Sequence, residues 1–218
     1  MPVLKLLLAD DHEIVRQGLR AMLEAQRDCV VVGEAADGRQ AVAMTKELNP
    51  DIVILDIGMP SLNGLEATRQ ILKMRPQTKV LILTMHESDS VIREVLDAGA
   101  RGYILKTDAG RDLVSAVESL RRNKTFFTSR VSQMILDGFL KGDTRPRDPE
   151  SDGIRLTPRQ REIVQLLAEG KSSKEVAVAL DLSVKTAETH RANIMRKLDC
   201  HSVSEVVRYA IRNKIIEA

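Results

Sequence analysis

The sequence has few aromatic residues and few cysteines, and each shortage excludes a class of function. Aromatic residues make up 2% of the 218 residues, and tryptophan is absent, so we do not expect nucleic-acid bases to stack on aromatic rings. Cys29 and Cys200 lie far apart and form no CxxC pair, which excludes a disulfide framework and fits a reducing cytoplasm. No apolar run is long enough to cross a bilayer, so we expect a cytoplasmic protein without a membrane partner.

Charge is nearly balanced along the whole chain but unevenly distributed. The formal net charge is +2. Residues 1–140 hold 18 Lys and Arg against 19 Asp and Glu, whereas residues 155–218 hold 12 against 8, a net charge of +4. A basic C-terminal segment favours a polyanionic partner.

Five short apolar runs recur in the first half of the chain, with helical spacing between them. Their first residues lie 26, 23, 28 and 23 positions apart. They are Val3–Ala9, Cys29–Val32, Ile52–Leu55, Val80–Leu83 and Tyr103–Leu105. Strands that alternate with helices at this interval predict βαβ units and a five-stranded parallel sheet, doubly wound as an open (βα)5 domain.

The second half predicts a connector and then a helical domain. Residues 126–140 have the spacing of an amphipathic helix, and residues 141–153 lack any apolar side chain and predict an exposed linker. We therefore predict three parts, an α/β domain at 1–122, a connector helix and linker at 123–154, and an all-α domain at 155–218.

Capping residues mark four helices in this all-α domain. Thr157 with Gln160 and Ser172 with Glu175 have the spacing of capping boxes. Ser183 is the expected N-cap of a third helix that ends near residue 198, and a fourth helix covers about 203–213. Helix, tight turn, helix is the helix-turn-helix pattern.

Polar residues follow four of the five predicted strands. In a doubly wound sheet, ligands bind beyond the carboxyl ends of the strands. Asp10 and Asp11 follow the first strand. Asp56 follows the third, Thr84 the fourth and Lys106 the fifth. Each residue alone has an ordinary interpretation as a turn former, a strand residue or a solvated cation, but their joint occurrence favours one site.

This set of residues predicts a site for Mg²⁺ and a phosphoryl group. Carboxylates close together need a shared cation, and oxygen ligands favour Mg²⁺, with the backbone carbonyl of Gly58 as a further ligand. Asp56 is then a candidate nucleophile toward phosphorus, while Thr84 and Lys106 can contact phosphoryl oxygens.

Other phosphate-binding motifs, GxxxxGK[ST] and GxGxxG, are absent after the first strand. His12 is interpreted as a surface residue at the start of a helix.

The strings "ADDH", "ILDIGMP", "LTMHE" and "GYILKT" resemble the receiver domain of two-component response regulators, over residues 1–122. The resemblance implies that Asp56 accepts a phosphoryl group from a sensor histidine kinase. It implies that Asp11 is a direct metal ligand and that Asp10 acts through water. It also assigns Thr84 and Lys106 to phosphate contact and Tyr103 to a rotating switch aromatic.

Residues 155–215 resemble the DNA-binding domain of the NarL/LuxR (FixJ) family, through the string "LTPRQREIVQLLAEGKSSKEVAVALDLSVKTAETHRANIMRKLDCHS". The resemblance implies that helix 184–198 enters the major groove of double-stranded DNA. One group of side chains suits phosphates, namely Lys174, Lys185, Thr186, Arg191, Arg196 and Lys197. The residues expected to face bases are Glu188, Thr189 and Ala192.

The last helix leaves two interpretations open. The apolar side chains of Val203, Val206, Val207 and Ala210 belong to the domain core or to a dimer seam, and relatives dimerise at this helix.

The combined expectation is a transcription regulator rather than an enzyme, switched by phosphorylation of Asp56 in a reaction that needs Mg²⁺. A sensor histidine kinase and DNA are the expected partners, with a homodimer on DNA and RNA polymerase as a candidate. A constitutive DNA-binding regulator, whose first domain is a structural or partner-binding module, is the alternative. A phosphoryl-transfer enzyme is a third hypothesis, disfavoured because the second acid common in such enzymes is replaced by Gly58.

Overall fold

A computed structural model describes residues 3–85, 88–129, 131–133, 136 and 156–216. The chain divides into two compact units, Met1–Asp143 and Thr144–Ala218. The predicted linker at 141–153 and seven of the fifteen residues of the predicted connector helix lie outside the described residues, so the boundaries at 122 and 154 stay predictions.

The first unit contains a parallel five-stranded sheet, as the sequence predicts. Its strand order is β2-β1-β3-β4-β5. The strands are β1 Leu4–Ala9, β2 Cys29–Ala35, β3 Ile52–Asp56, β4 Lys79–Thr84 and β5 Gly102–Leu105. The helices are α1 Glu13–Glu24, α2 Gly38–Leu48, α3 Gly64–Met74, α4 Asp89–Asp97 and α5 Ala109–Arg121. The predicted fold class is confirmed.

The central strands are buried on both faces, which explains their unbroken apolar runs. Successive side chains of a strand point to opposite faces. Leu7 and Val53 accordingly join the core that α2, α3 and α4 cover, whereas Leu6, Leu8 and Ile54 join the core beneath α1 and α5. Helices therefore cover both faces of the sheet, and the strand ends stay open at its carboxyl edge.

A close approach of backbone atoms shapes the loop between β3 and α3. The amide of Gly64 donates to the carbonyl oxygen of Ile57 at 3.0 Å. A Cβ placed on Gly64 would lie 2.0 Å from the carbonyl oxygen of Asp56. Asn63 then caps α3 by accepting from the amide of Glu66. Only glycine at position 64 lets this loop turn back against the end of β3.

The second unit is helical, and its helices begin where the capping residues predict. The helices are α6 Pro158–Ala168, α7 Ser173–Ala179, α8 Val184–Lys197 and α9 Val203–Arg212. Both capping boxes form, and Ser183 accepts from the amide of Thr186. Buried apolar residues from all four helices form one core.

Two predictions made from the sequence need correction. The second strand reaches Ala35, three residues beyond its predicted end, because it pairs with β1 up to Ala9. The predicted connector helix begins later than residue 126, because residues 129, 131–133 and 136 are helical, whereas Phe126 is not. Instead it pairs with β5, where its carbonyl oxygen accepts from the amide of Tyr103 at 2.9 Å and its own amide donates to Arg101.

Substitution of Gly64 by alanine tests the close approach in the β3–α3 loop. We expect Gly64→Ala to lower the free energy of unfolding by about 1–3 kcal/mol, because the clash is with backbone and needs a backbone shift. Gly18→Ala is the matched control. No described atom lies within 4 Å of its added Cβ, and alanine in α1 should stabilise by about 0.5–1 kcal/mol. Urea unfolding of the full chain, followed by circular dichroism, measures both. A Gly64→Ala protein as stable as the wild type would contradict the packing.

Candidate functional site

Three charged side chains from separate strands meet at the carboxyl edge of the sheet. Asp10 follows β1, Asp56 ends β3, and Lys106 follows β5. The Nζ atom of Lys106 lies 2.7 Å from Oδ2 of Asp10 and 2.8 Å from Oδ2 of Asp56. Asp10 is 1% exposed and Asp56 is 4% exposed. Because burial of unpaired carboxylates is costly, the shared ammonium group is what allows both acids to lie here.

The surroundings of Lys106 favour its charged form. Burial lowers the pKa of the ammonium group, but the hydrogen bonds and charges of Asp10 and Asp56 outweigh burial and raise that pKa above its ordinary value of 10.5. The lysine is therefore a fixed cation at the site at physiological pH.

A potential metal-binding cluster surrounds this ion pair. Asp10, Asp11, His12 and Asp56 each offer a ligand atom, and these atoms lie within 4.8 Å of one another. The Nδ1 atom of His12 lies 2.8 Å from Oδ1 of Asp11 and 3.2 Å from Oδ1 of Asp10. The three carboxylates form a hard oxygen donor set, so the residues present fit Mg²⁺.

Three other predicted residues belong to elements that border the cluster. Thr84 ends β4, is fully buried, and has Leu105 of β5 as its register partner. Tyr103 on β5 is 1% exposed and packs into the core on the α2–α4 side. Gly58, two residues after Asp56, is half-buried in the loop. The functional roles of Thr84, Tyr103 and Gly58 stay predictions.

The sequence did not identify Arg16, which contacts the cluster, or Glu34, which contacts Arg16. The guanidinium of Arg16 donates from Nη1 to the carbonyl oxygen of Asp10 at 2.6 Å, and its Nε lies 3.5 Å from Oε2 of Glu34. Glu34 belongs to β2, the one predicted strand to which the sequence assigned no site residue. The position of Arg16 on the inner side of α1 was the available signal, but its partner depends on the fold.

In the second unit, the predicted DNA-contacting residues lie on the solvent-facing surface of α8 and at the start of α7. Helix α8 buries Ala187 and Ile194. All of the predicted residues are exposed except Arg191, which is half-buried. They are Lys174, Lys185, Thr186, Glu188, Thr189, Arg191, Ala192, Arg196 and Lys197. The arrangement gives a helix face that carries several cations and one acid.

Hydrogen bonds limit what some of these side chains can do. The hydroxyl of Thr189 donates to the carbonyl oxygen of Lys185 at 2.8 Å, so its hydrogen is not available to another acceptor. The Nζ atom of Lys197 donates to Oε1 of Gln160 on α6 at 3.2 Å. Lys197 therefore also links two helices of the unit.

Helix α9 contributes apolar side chains to the domain core and also leaves some of them partly exposed. Val206 and Ala210 are buried in the core of the unit. Val203 and Ile211 are each 38% exposed, and Val207 is half-buried. These last three residues follow the i, i+4, i+8 spacing of one helix face, which stays partly open.

Two family models match this chain. The model for the response regulator receiver domain matches residues 6–118, and the model for bacterial regulatory proteins of the LuxR family matches residues 155–210. The chain belongs to the LuxR family of two-component response regulators.

Whole-length relatives agree with this assignment. The regulator is 37% identical to the transcriptional regulatory protein LiaR of Bacillus subtilis over 98% of this chain and 100% of LiaR. It is 38% identical to the oxygen regulatory protein NreC of Staphylococcus carnosus over 98% of this chain and 100% of NreC. Each alignment runs over nearly the whole of both chains, so it includes both of the matched segments.

Solved structures of RcsB are similar in fold. An RcsB response regulator of Salmonella typhimurium aligns with a TM-score of 0.58 and 29% identity, covering 96% of this chain and 98% of RcsB. A complex of RcsB with DNA and a structure of two RcsB dimers on two parallel DNAs each align with a TM-score of 0.57 and 28% identity, covering 95% of this chain and 97% of RcsB.

Within the described part of the regulator, none of the helices has the length and apolar character that a bilayer crossing requires.

Removal of the Lys106 ammonium tests the ion pair on which the site depends. We expect Lys106→Met to lower the free energy of unfolding of the metal-free regulator by about 3–5 kcal/mol near neutral pH, because two buried carboxylates lose their counter-ion.

The raised pKa of Lys106 sets the sign of the pH dependence of this stabilisation. Its stabilisation is complete below pH 10.5 and is lost as pH rises through the raised value. The difference from wild type should therefore shrink in strong alkali.

Lys79→Met is the matched control for this measurement. The pKa of Lys79 is lowered, mainly by burial, so its removal should leave stability unchanged or raise it. Urea unfolding at a series of pH values compares the two variants. Equal effects of both substitutions would refute a special role for Lys106.

Proposed function

We propose that Asp56 accepts a phosphoryl group from the phosphohistidine of a sensor histidine kinase, and that this changes how the regulator binds DNA. The observation that supports the proposal most strongly is the buried carboxylate of Asp56, held at a strand end by Lys106 beside Asp10. The three-part division at 1–122, 123–154 and 155–218 is part of the proposal.

The chemistry assigned to Asp56 is a direct transfer. A carboxylate oxygen of Asp56 attacks phosphorus, the P–N bond to the kinase histidine breaks, and the imidazole leaves with a proton from solvent. Lys106 then contacts a phosphoryl oxygen instead of a bare carboxylate. The hydroxyl of Thr84 is assigned to another phosphoryl oxygen. Phosphoryl transfer depends mainly on such positioning and charge neutralisation.

Mg²⁺ is the proposed cofactor, because the donor set fits it. Asp11 and Asp56 are assigned as direct ligands with the backbone carbonyl of Gly58, and Asp10 is assigned to contact through water. When bound, the ion supplies positive charge that offsets the carboxylates and the phosphoryl oxygens.

Coupling to DNA is assigned to a repacking of the first unit. Thr84 and Tyr103 lie on neighbouring strands, β4 and β5, so movement of the threonine toward a phosphoryl group leaves space that the tyrosine ring can enter. Buried side chains of this kind change between discrete packings rather than continuously. The repacked surface then alters dimer formation and DNA binding.

Helix α8 is proposed to enter the major groove. Its lysines and arginines contact phosphates and provide affinity, while Glu188, Thr189 and Ala192 face bases. The partly open stripe of Val203, Val207 and Ile211 on α9 supports a homodimer on DNA, as in the RcsB complex.

RNA polymerase is a further candidate partner. The cytoplasm is the proposed location, because both DNA and the kinase are accessible there.

Phosphorylation with a small donor tests the assigned acceptor. Incubation of the full chain with Mg²⁺ and acetyl phosphate should add one phosphoryl group, detected by intact-mass spectrometry, and Asp56→Asn should abolish the addition. Asp51→Asn is the matched control, since Asp51 lies at the opposite end of β3 and accepts from the amide of Lys5. Equal labelling of wild type and Asp56→Asn would show that another residue is the acceptor.

Salt dependence tests the DNA-contacting face. Lys185→Ala should weaken binding to all DNA sequences and reduce the slope of log affinity against log salt by about 0.9, because one phosphate contact is lost. Glu188→Gln should instead change the base preference, by about 1–3 kcal/mol at one position. Lys46→Ala, an exposed lysine of the first unit, is the control.

Fluorescence anisotropy measures these changes, with DNA selected from random sequence by the phosphorylated regulator as the probe. An unchanged salt slope for Lys185→Ala would remove α8 from the phosphate contacts. Equal affinity of the phosphorylated and unphosphorylated wild type would instead favour the constitutive alternative.

A further inference from the structure

The backbone of Asp10 is held from two sides, beyond the contacts of its carboxylate. Its amide donates to the carbonyl oxygen of Ala35 on β2 at 3.1 Å. Its carbonyl oxygen accepts from Nη1 of Arg16 on α1 at 2.6 Å. Asp10 lies just past the end of β1, so the bond from Arg16 takes the place of a ladder bond for that carbonyl.

Glu34 is the ion-pair partner of Arg16, although the buried Nε atom of Arg16 makes no hydrogen bond with the described residues. The Arg16 side chain is only 14% exposed, and its Nε lies 3.5 Å from Oε2 of Glu34. The carboxylate of Glu34 also binds Nη1 of Arg20 at 2.8 Å. A charge-assisted bond from a half-buried guanidinium fixes geometry better than a bond from a mobile surface lysine, because its planar donors are oriented in advance.

We propose that Arg16, oriented by Glu34, is a positioning residue that sets the Asp10–Asp11 turn for divalent-cation binding. This inference rests on the Mg²⁺ site of the proposed function. Mg²⁺ demands nearly ideal octahedral geometry at 2.0–2.1 Å, so a small displacement of the turn costs affinity. Arg16 touches neither the ion nor the phosphoryl group in this proposal, and acts through the backbone of Asp10.

Charge alone predicts the opposite effect for Arg16, which makes the proposal easy to test. A guanidinium close to the acidic cluster repels a divalent cation, so its removal would tighten binding if Coulomb repulsion were its main effect. If positioning is the main effect, removal weakens binding despite the lost repulsion. The sign of the change therefore distinguishes the two explanations.

The experiment measures divalent-cation affinity rather than phosphorylation alone. Mn²⁺ binding to the full chain is followed by electron paramagnetic resonance, and Mg²⁺ affinity is obtained by competition. We expect Arg16→Met to weaken Mg²⁺ binding about tenfold, as for other outer contacts of metal ligands. Arg16→Lys keeps one cationic donor and should recover part of the loss. Glu34→Gln should give a smaller loss, since it leaves the Arg16 side chain less well oriented.

Arg20→Met is the matched control, because it removes the outer partner of Glu34 and keeps the bond from Arg16 to Asp10. Its Mg²⁺ affinity should match the wild type within about twofold. Circular dichroism verifies folding of each variant. In acetyl phosphate kinetics, the half-saturating Mg²⁺ concentration should rise in Arg16→Met while the KM for acetyl phosphate stays unchanged, which a general loss of structure would not produce.

The outcomes separate this inference from the site on which it rests. Absence of saturable Mg²⁺ binding in the wild type would overturn the proposed Mg²⁺ site. Binding by wild type together with equal or tighter binding by Arg16→Met would overturn the positioning role alone. If Arg16→Met fails to fold, unchanged affinity in both Glu34→Gln and Arg16→Lys would overturn it.

Discussion

The ammonium group of Lys106, shared by the carboxylates of Asp10 and Asp56, is the interaction on which the rest of the site depends. The sheet order places β1 next to β3, so the two acids are neighbours, whereas β5 lies beyond β4. With strands about 4.8 Å apart, a group that follows β5 must reach across roughly 10 Å toward β3. A long cationic side chain can span that distance and pair with both acids. The short 3-10 helix that begins at Lys106 places this side chain just beyond the end of β5.

This arrangement leaves the cluster with an excess of negative charge that suits its proposed work. Asp10, Asp11 and Asp56 bring three carboxylates, and Lys106 brings one cation. In the proposed function, the remaining negative charge would attract a divalent cation, and that cation together with Lys106 would supply the positive charge that phosphoryl oxygens need. Without such a ligand, the lysine pairs with both buried acids. The same ion pair therefore stabilises the resting fold and must rearrange when a phosphoryl group arrives.

Local signals made most of the fold and the centre of the site predictable. Strand runs, capping boxes and the residues that directly follow strands depend on neighbours in the sequence, so Asp56 and Ser183 were placed correctly. Arg16, Glu34 and the pairing of Phe126 with β5 were missed because each depends on a partner from another element. Nothing in the sequence indicated that α1 links the end of β2 to the acidic turn.

The proposed DNA-binding surface would combine attraction to phosphates and discrimination between bases on one helix. The second unit has a net positive charge, and affinity for phosphates grows with each exposed cation of α8. Glu188 opposes this attraction, since an acid near phosphates costs affinity at every sequence. Its carboxylate recovers that cost only where a cytosine amine can donate to it. The hydroxyl hydrogen of Thr189 is bonded to the carbonyl oxygen of Lys185, so in the proposed interface Thr189 would not donate this hydrogen to a base. An acid between cations thus reduces general affinity and increases the difference between sequences, which is what a regulator of particular genes requires.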